Sequence, residues 1–273
     1  MNLEFANKYG KWALVTGASD GMGREISYGL AKRGLNVILC ARRFELLVEI
    51  SEDIRTRFPV EVQALSCDLS IEADIESLFL NTKDKEIGLY VAAAGFGTSG
   101  AFIDSDIENE LNMIDLNCRS VVKMTHHFAN ELSKKKKGGI VLFSSLVAFQ
   151  GTPYSANYSA TKAFIQNLAE GLSVELSGSG VDVLSVAPGP VASGFSQRAN
   201  MVMGSALDPK EIAEEIIAAI GKKSLVRPGF LSKALEFALK SLMFRSFRVQ
   251  MMKVVMGGMT KHQRAGLNIE KNS

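Results

Sequence analysis

Short apolar segments alternate with longer amphipathic segments along most of the chain. The apolar segments have the length of strands and lie at 12–16, 37–40, 62–65, 87–93, 140–143, 181–186 and 225–226. The amphipathic segments have helical spacing and lie at 24–33, 44–58, 71–83, 106–133, 158–176 and 208–221. This alternation, without a repeat or a Pro/Gly/Ser-rich linker, predicts a single α/β domain with a parallel sheet of about seven strands flanked by helices.

The pattern changes after residue 230, so we assign 1–230 to the α/β domain and 231–273 to a C-terminal extension. Apolar residues recur there at helical spacing: Leu231, Leu235, Ala238, Leu239, Leu242, Phe244, Phe247, Met251, Val254 and Val255. Because basic residues occupy the other faces, this amphipathic helix is suited to a membrane surface, although packing over the domain or against a second subunit is favoured. Gly257-Gly258 is expected to end the helix, and residues 260–273 are expected to be disordered.

Composition narrows the class of protein. The chain has 273 residues, of which 47% are hydrophobic, and a net charge of +2, which allows a sizeable core and argues against nucleic acid as a partner. Cys40, Cys67 and Cys118 have no paired spacing, which indicates buried thiols in a reducing, cytoplasmic compartment. Residues 1–11 contain no long apolar run, so we expect neither a signal peptide nor an N-terminal membrane span.

The first strand is followed by the turn Gly17-Ala-Ser-Asp-Gly21-Met-Gly23, then by a helix and a second strand. Glycines at such a turn let the backbone approach a pyrophosphate at the helix N-terminus, where free N–H groups favour anions. This order predicts a dinucleotide-binding unit, and the alternative is an ordinary tight turn.

The residues after the second and third strands bear on which dinucleotide binds. Many NAD sites have an acid after the second strand, whereas this chain has Arg42 and Arg43. Two guanidiniums suit a 2′-phosphate, so the sequence favours NADP(H) over NAD(H), against the alternative of two solvated arginines. Asp68 follows the third strand and is suited either to accept a hydrogen bond from adenine or to cap the next helix.

Later strands also end in candidate ligand-binding turns, at 94–97 and 188–191. Residues 192–207 contain two methionines, and we expect them to form a flexible flap beside a substrate. The adjacent His126 and His127 point to different sides of a helix, and we expect no metal site.

Tyr158 and Lys162 are four residues apart and share one face of a predicted helix. A free phenol has a pKa of about 10. An ammonium group beside it favours the phenolate, which would allow proton transfer near neutral pH. The pentapeptide alone is more often an ordinary helix surface, so its interpretation depends on the other motifs.

Together these motifs resemble the short-chain dehydrogenase/reductase family over about residues 12–226. The cofactor turn, Asp68 and the order of four residues match the family: Asn117, Ser145, Tyr158 and Lys162. Segments 9–17 and 86–89 are similar to the branch of 17β-hydroxysteroid dehydrogenases and 3-ketoacyl-CoA reductases. The resemblance implies a Rossmann-type, doubly wound parallel sheet.

The resemblance also implies hydride transfer between NADP(H) and a ketone or secondary alcohol on an apolar, 3-oxoacyl or steroid-like substrate. Tyr158 is then the acid/base, and Ser145 orients the substrate oxygen. Lys162 lowers the pKa of Tyr158 and bonds the nicotinamide ribose, and Asn117 holds a water that links Lys162 to solvent. The expected cofactor contacts are Gly17, Ser19, Asp20, Gly21, Met22, Gly23, Arg42, Arg43, Asp68, Leu69, Ala93, Gly95, Tyr158, Lys162, Pro188, Gly189 and Val191.

One departure concerns the turn after the fourth strand. The family usually has Asn-Asn-Ala-Gly there, whereas this chain has Ala92-Ala93-Ala94-Gly95. Because the two amides would bond neighbouring backbone, we expect either a looser cofactor pocket or other groups in their place. Cofactor contacts at Ala92 and Ala93 can then come only from backbone.

Two other classes of function are considered. One is a catalytically silent NADP(H)-binding sensor or scaffold on the same fold, which the complete set of four residues disfavours. The other is a protein that acts at a membrane surface through peripheral contact of residues 231–256. The family commonly forms homodimers or homotetramers through the helices before and after the fifth strand, and we expect one of these here.

Overall fold

Seven parallel strands form the centre of the fold in a computed structural model that describes residues 3–204, 206–229 and 244–263. They are β1 (Trp12–Thr16), β2 (Asn36–Ala41), β3 (Val62–Ser66), β4 (Ile87–Ala92), β5 (Gly138–Phe143), β6 (Val181–Val186) and β7 (Leu225–Val226). Their order in the sheet is β3-β2-β1-β4-β5-β6-β7. The predicted doubly wound parallel sheet is confirmed.

Helices cover both faces of this sheet. They are α1 (Leu3–Tyr9), α2 (Gly21–Lys32), α3 (Phe44–Arg57), α4 (Glu72–Thr82), α5 (Ile107–Ile114), α6 (Ser120–Lys135), α7 (Ala156–Glu175), α8 (Phe195–Arg198), α9 (Pro209–Ala219) and α10 (Arg245–Met259). A π-helical turn, Asp115–Arg119, joins α5 to α6 without a break.

Strand side chains alternate between two apolar cores. In β1, Ala13 and Val15 face a core shared with α2, α3 and α9, whereas Trp12 and Leu14 face a core shared with α4, α6 and α7. Because both faces are buried, the strands are nearly continuous apolar runs, which is why they were visible in the sequence.

The strand order places the candidate motifs at one edge. β1 pairs with β2 on one side and with β4 on the other, so the direction of the chain through the sheet reverses there. In open α/β sheets the crevice for ligands lies at this reversal, beyond the carboxyl ends of the strands. The turns after β1, β4, β5 and β6 therefore converge on it.

Two predicted boundaries differ from the structure. Helix α2 begins at Gly21 rather than near residue 24, because the Asp20 side chain accepts a hydrogen bond from the Gly21 N–H and caps the helix. The predicted flap at 192–207 is also not a loop throughout, since it contains α8, and a β-bridge joins Val191, just before it, to Leu207 at its end.

The predicted break at Gly257-Gly258 is wrong, because α10 continues through both glycines to Met259. A glycine inside a helix costs about 1 kcal/mol relative to alanine. Packing offsets this cost, since Met256 is buried and the Val202 N–H donates to the Met259 carbonyl at 3.0 Å.

The predicted disorder is also wrong for residues 260–263. Thr260 is buried, and the Gln263 amide donates to the Ser99 hydroxyl at 2.9 Å. The rest of the predicted disordered tail and the apolar stripe at 231–242 lie outside the described residues. In the parts of the chain that the structure covers, no helix combines the length and apolar character needed to cross a membrane.

Candidate active site

A cleft of about 1120 Å³ opens at the carboxyl ends of the strands. It is lined by every residue predicted for the site except Asn117, which lies behind its wall. The turns after β1 to β6 and helix α7 contribute these residues, so positions spread over most of the sequence meet in one cavity.

The turn after β1 packs tightly against the turn after β4. Gly17 has a φ of +67°, and a Cβ there would lie 2.8 Å from the Ala94 nitrogen. The Thr16 hydroxyl donates to the Val91 carbonyl at 3.3 Å and accepts from the Ala94 N–H at 3.2 Å. The Thr16 hydroxyl thus bonds the backbone beside the alanines that replace the usual asparagines.

Asp20 joins the glycine turn to the flap. One carboxylate oxygen accepts from the Gly21 N–H at 2.7 Å, and the other accepts from the Gly194 N–H at 2.9 Å. Next to this link, a Cβ on Gly21 would lie 2.8 Å from the Ser193 Cβ. The flap thus closes directly over the N-terminus of α2.

Arg42 and Arg43 extend along the outer end of the cleft. The Arg42 guanidinium lies 3.6 Å from the Asp68 carboxylate, and Arg43 donates to the Ser19 hydroxyl at 3.1 Å. Burial raises the pKa of Asp68, but hydrogen bonds from Ser70 and the Arg42 charge hold it below its ordinary value. Asp68 accepts hydrogen bonds from both the N–H and the hydroxyl of Ser70, so it orders the turn before α4. Asp68 does not cap α4, whose N-cap residue is Ile71, so that alternative is wrong.

A third arginine at this end was missed in the sequence. The Arg198 guanidinium carbon lies 3.9 Å over the Phe96 ring. Burial and the neighbouring Arg42 lower the pKa of Arg198, whereas Asp68 raises it. No local pattern marks this residue, because only the path of the flap brings α8 over the turn after β4.

Tyr158 lies in the middle of the cleft beside Phe195, with 5.3 Å between the ring centroids. Burial raises the pKa of Tyr158 to about 12, while a hydrogen bond with Ser145 lowers it. The pKa thus lies above its ordinary value, contrary to the expected effect of Lys162. The reason is that burial penalises the phenolate and the ammonium group points elsewhere.

Lys162 points to the end of β5. Its Nζ donates to the Phe143 carbonyl at 2.8 Å and lies 5.8 Å from the centroid of the Tyr158 ring. Burial lowers the pKa of Lys162 to about 8. A Cβ on Gly95 would lie 3.4 Å from this Nζ, so the turn after β4 passes directly over the ammonium group.

Asn117 lies in the π-helical turn and is buried. Its Oδ1 accepts from the Phe96 N–H at 3.1 Å, and its Nδ2 donates to the Phe96 carbonyl at 2.8 Å and to the Thr161 hydroxyl at 3.1 Å. These bonds compensate for burying an amide within an apolar helix. Asn117 therefore fastens the turn after β4 to α7, directly behind Lys162.

Helix α10 forms a wall of the cleft that the sequence predicted only as general packing. One of its faces lines the cavity with Arg248, Met251, Met252, Val255, Met256 and Met259. Met201 and Met203 of the flap line it as well. The described part of the extension thus packs over its own domain, which was the favoured alternative.

The sequence profile of the short chain dehydrogenase family matches residues 11–202. The chain belongs to this family. It is therefore an oxidoreductase of a family that uses a nicotinamide cofactor.

Individual members of the short chain dehydrogenase family also resemble the chain. A 7beta-hydroxysteroid dehydrogenase of Clostridium sardiniense is 30% identical over 228 residues, which are 84% of each protein. A very-long-chain 3-oxoacyl-CoA reductase of Meyerozyma guilliermondii is 33% identical over 232 residues, covering 81% of this chain and 67% of the relative. A short-chain dehydrogenase from Sphingobium yanoikuyae, solved in complex with NADPH, superimposes with a TM-score of 0.77 and 28% identity, covering 85% of this chain and 95% of that one. These similarities confirm the resemblance to the hydroxysteroid dehydrogenase and ketoacyl-CoA reductase branch.

Proposed function

We propose that the protein transfers a hydride reversibly between NADP(H) and a ketone or secondary alcohol on a bulky apolar substrate. The observation that carries this proposal is that Tyr158, Ser145 and Lys162 line one large cleft, with Ser145 close enough to lower the pKa of Tyr158. The same cleft is bounded by the glycine turn and by Arg42 and Arg43.

The residues of the cleft fit a dinucleotide. The backbone at Gly17 approaches so closely that a side chain would collide with Ala94, and Gly21 begins a helix whose free N–H groups suit a pyrophosphate. Arg42 and Arg43 suit a 2′-phosphate, and the NADPH complex of the Sphingobium yanoikuyae relative supports the same preference. When bound, the nicotinamide supplies or accepts the hydride.

Tyr158 is the proposed acid/base. Since burial raises its pKa to about 12, the phenol keeps its proton at neutral pH and can donate it to a substrate oxygen as charge develops there. The Ser145 hydroxyl, which lines the same cleft, orients the same oxygen. In the oxidative direction, Tyr158 must first lose its own proton, so that the phenolate can accept the proton of the alcohol.

Lys162 and Asn117 support this proton transfer. The Lys162 ammonium lies near the Tyr158 ring in a buried site, where its charge favours the phenolate that forms when the proton leaves. A Cβ on Gly95 would contact both the Asn117 amide oxygen and the Lys162 Nζ, so these groups are neighbours. This proximity supports the proposed role of Asn117 in holding a water that connects Lys162 to solvent.

The substrate proposal rests on the lining of the cleft. Thioether and aliphatic side chains of α10 and the flap surround the space beyond Tyr158. The two curated relatives are named for reactions on a hydroxysteroid and on a very-long-chain 3-oxoacyl group. A steroid-like or 3-oxoacyl ketone therefore fits this chain.

The test is a screen of ketones with NADPH and NADH in parallel, followed by cofactor absorbance. We expect bulky apolar ketones to oxidise NADPH faster than NADH, and small polar sugars to be inert. Tyr158→Phe should lower the rate of ketone reduction on the order of 10²–10⁴-fold and leave NADPH binding unchanged. Tyr28 lies outside the cleft, so Tyr28→Phe should reduce the ketone at the wild-type rate. If NADPH binds but no ketone in the screen is reduced, the catalytically silent alternative holds.

We also propose that the protein forms a homodimer or homotetramer. Ile107 and Leu111 of α5, which continues into α6, and Phe164 and Val174 of α7 are exposed apolar residues on the helices before and after the fifth strand, through which the family commonly associates. Light scattering should give a multiple of the chain mass for the wild type. A monomeric wild type would reject this proposal.

Peripheral membrane contact is a separate proposal about the outer face of α10. Phe244, Phe247 and Val254 are exposed there, next to the basic Arg245 and Lys253. Sedimentation with anionic vesicles should carry the full chain down and should carry less of Phe247→Glu. Failure of the wild type to sediment would reject membrane contact.

A further inference from the structure

Helix α10 lies across the mouth of the cleft. Its first turns approach the loop after β5, where a Cβ on Gly151 would lie 3.7 Å from the Val249 Cγ2. Its last turn meets the flap, where the Val202 N–H donates to the Met259 carbonyl at 3.0 Å. One face of α10 therefore looks into the cavity along its length.

This inner face has one charged residue. Within α10, which the structure describes in full, the cavity-lining residues are methionines and a valine except for Arg248. The Arg248 Nε is buried and, within the described ranges, has no hydrogen-bond partner. A buried guanidinium N–H without a partner is unfavourable in the protein alone, so this position is explained better by a ligand than by folding.

A second guanidinium lines the same cleft. Arg227, which follows β7, lines the cavity and is 5% exposed, with its guanidinium carbon 4.0 Å over the Phe149 ring. Burial lowers the pKa of Arg227 to about 10, so it stays cationic at neutral pH, and Glu170 raises it. Phe149 is two residues from Gly151, which Val249 approaches, so the loop after β5 contacts both Arg227 and the part of α10 that carries Arg248.

We infer that the substrate carries a carboxylate that Arg248 binds where α10 approaches the loop after β5. The inference rests on the proposed function and narrows it, since it assigns the substrate to the apolar ketones that bear an acid group. The inner face from Arg248 to Met259 spans about 16 Å at the rise of an α-helix, which provides an apolar surface for the body of such a molecule. The planar guanidinium matches a carboxylate through paired N–H groups.

The test compares ligands that differ only in the charged end. Decanoate and decanol are titrated by calorimetry into the full chain loaded with NADPH, using the wild type, Arg248→Met and Arg245→Met. Arg245 is the matched control, because it lies on the same helix but is exposed and does not line the cavity. We expect the wild type and Arg245→Met to bind decanoate at least about tenfold more tightly than decanol, and Arg248→Met to bind the two equally.

Decanoyl-CoA is titrated as a third ligand. Because its anionic groups are phosphates, it distinguishes binding of a phosphate from binding of a carboxylate. Tight binding of decanoyl-CoA that depends on Arg248, with no preference for decanoate over decanol, would assign the arginine to phosphate and overturn the carboxylate. The inference is also overturned if the wild type binds neither decanoate nor decanol, or if Arg248→Met keeps the preference for decanoate. Unchanged decanol binding in Arg248→Met shows that the pocket is still folded.

Reduction of a neutral bulky ketone, measured on the same variants, separates this inference from the proposed function. If the wild type reduces the ketone but does not prefer decanoate, only the carboxylate site is rejected. If it prefers decanoate in an Arg248-dependent way but reduces no ketone, only the proposed function is rejected. Both stand if the wild type reduces the neutral ketone and prefers decanoate, and Arg248→Met loses that preference.

Discussion

The carboxylate of Asp20 accepts a hydrogen bond of 2.9 Å from the backbone N–H of Gly194. Its other oxygen caps α2 through the Gly21 N–H. One side chain thus stabilises the cofactor turn and holds the flap against it, so the two functions can be separated by substitution.

Replacing Asp20 by serine should release the flap without unfolding α2. Serine can still cap a helix, so the free energy of unfolding should fall by less than about 1 kcal/mol. A shorter side chain that caps α2 cannot also reach Gly194. We therefore expect trypsin to cleave after the exposed Arg198 several-fold faster than in the wild type, as followed by mass spectrometry.

Asp20→Ala provides the comparison, because it removes both bonds. It should show the same faster cleavage and an additional loss of about 1 kcal/mol in urea unfolding. Equal cleavage rates in the wild type and Asp20→Ser would show that the Gly194 bond does not restrain the flap.

Replacing Arg42 and Arg43 together by alanine should change the choice of cofactor. Charge-assisted hydrogen bonds contribute about 1.5–3 kcal/mol each, so losing both arginines should raise the KM for NADPH at least about 100-fold. The KM for NADH should hardly change, because NADH has no 2′-phosphate. Steady-state kinetics with both cofactors measure this, and Arg57→Ala, an exposed arginine paired with Asp53, is the control. If the KM values for NADPH and NADH rose equally, Arg42 and Arg43 would not bind the 2′-phosphate.

Asn117→Ala should destabilise the fold as well as impair activity. The substitution leaves the buried N–H and carbonyl of Phe96 without the partners they have in the wild type. Each such group costs about 1–3 kcal/mol, so urea unfolding should show a loss on the order of 2–4 kcal/mol. Asn130→Ala, whose side chain is exposed, should stay within about 0.5 kcal/mol of the wild type. If the two variants were equally stable, the hydrogen bonds of Asn117 to Phe96 and Thr161 would contribute little to the free energy of unfolding.

Ketone reduction should decline as the pH rises through about 8. Burial lowers the pKa of Lys162 to about 8, so its charge is present below that pH and is lost above it. Tyr158, with a pKa raised to about 12, keeps its proton over the same range and adds no limb of its own. The dependence of kcat/KM on pH measures this.

Lys162→Arg distinguishes this assignment from other causes. A guanidinium stays protonated over the whole range, so the remaining activity of the variant should lose the limb near pH 8. A wild-type profile that stayed flat between about pH 7 and about pH 10 would contradict the assignment to Lys162.

The sequence alone determined the sheet, the family and the order of the site residues. Strands buried on both faces are continuous apolar runs, and a turn such as Gly17 to Gly23 needs its glycines for local steric reasons. These properties depend on neighbouring residues, so they can be recognised without knowing the rest of the fold.

Only the tertiary structure decided how the groups act on one another. The raised pKa of Tyr158 results from burial by elements far away in the chain, and this outweighs the local rule that a lysine four residues on lowers it. Arg198 over Phe96 and Arg248 within the cavity likewise depend on where the flap and α10 come to lie. Burial and long-range contacts set the charge states and partners of these residues. Neither can be read from the spacing of residues along the chain.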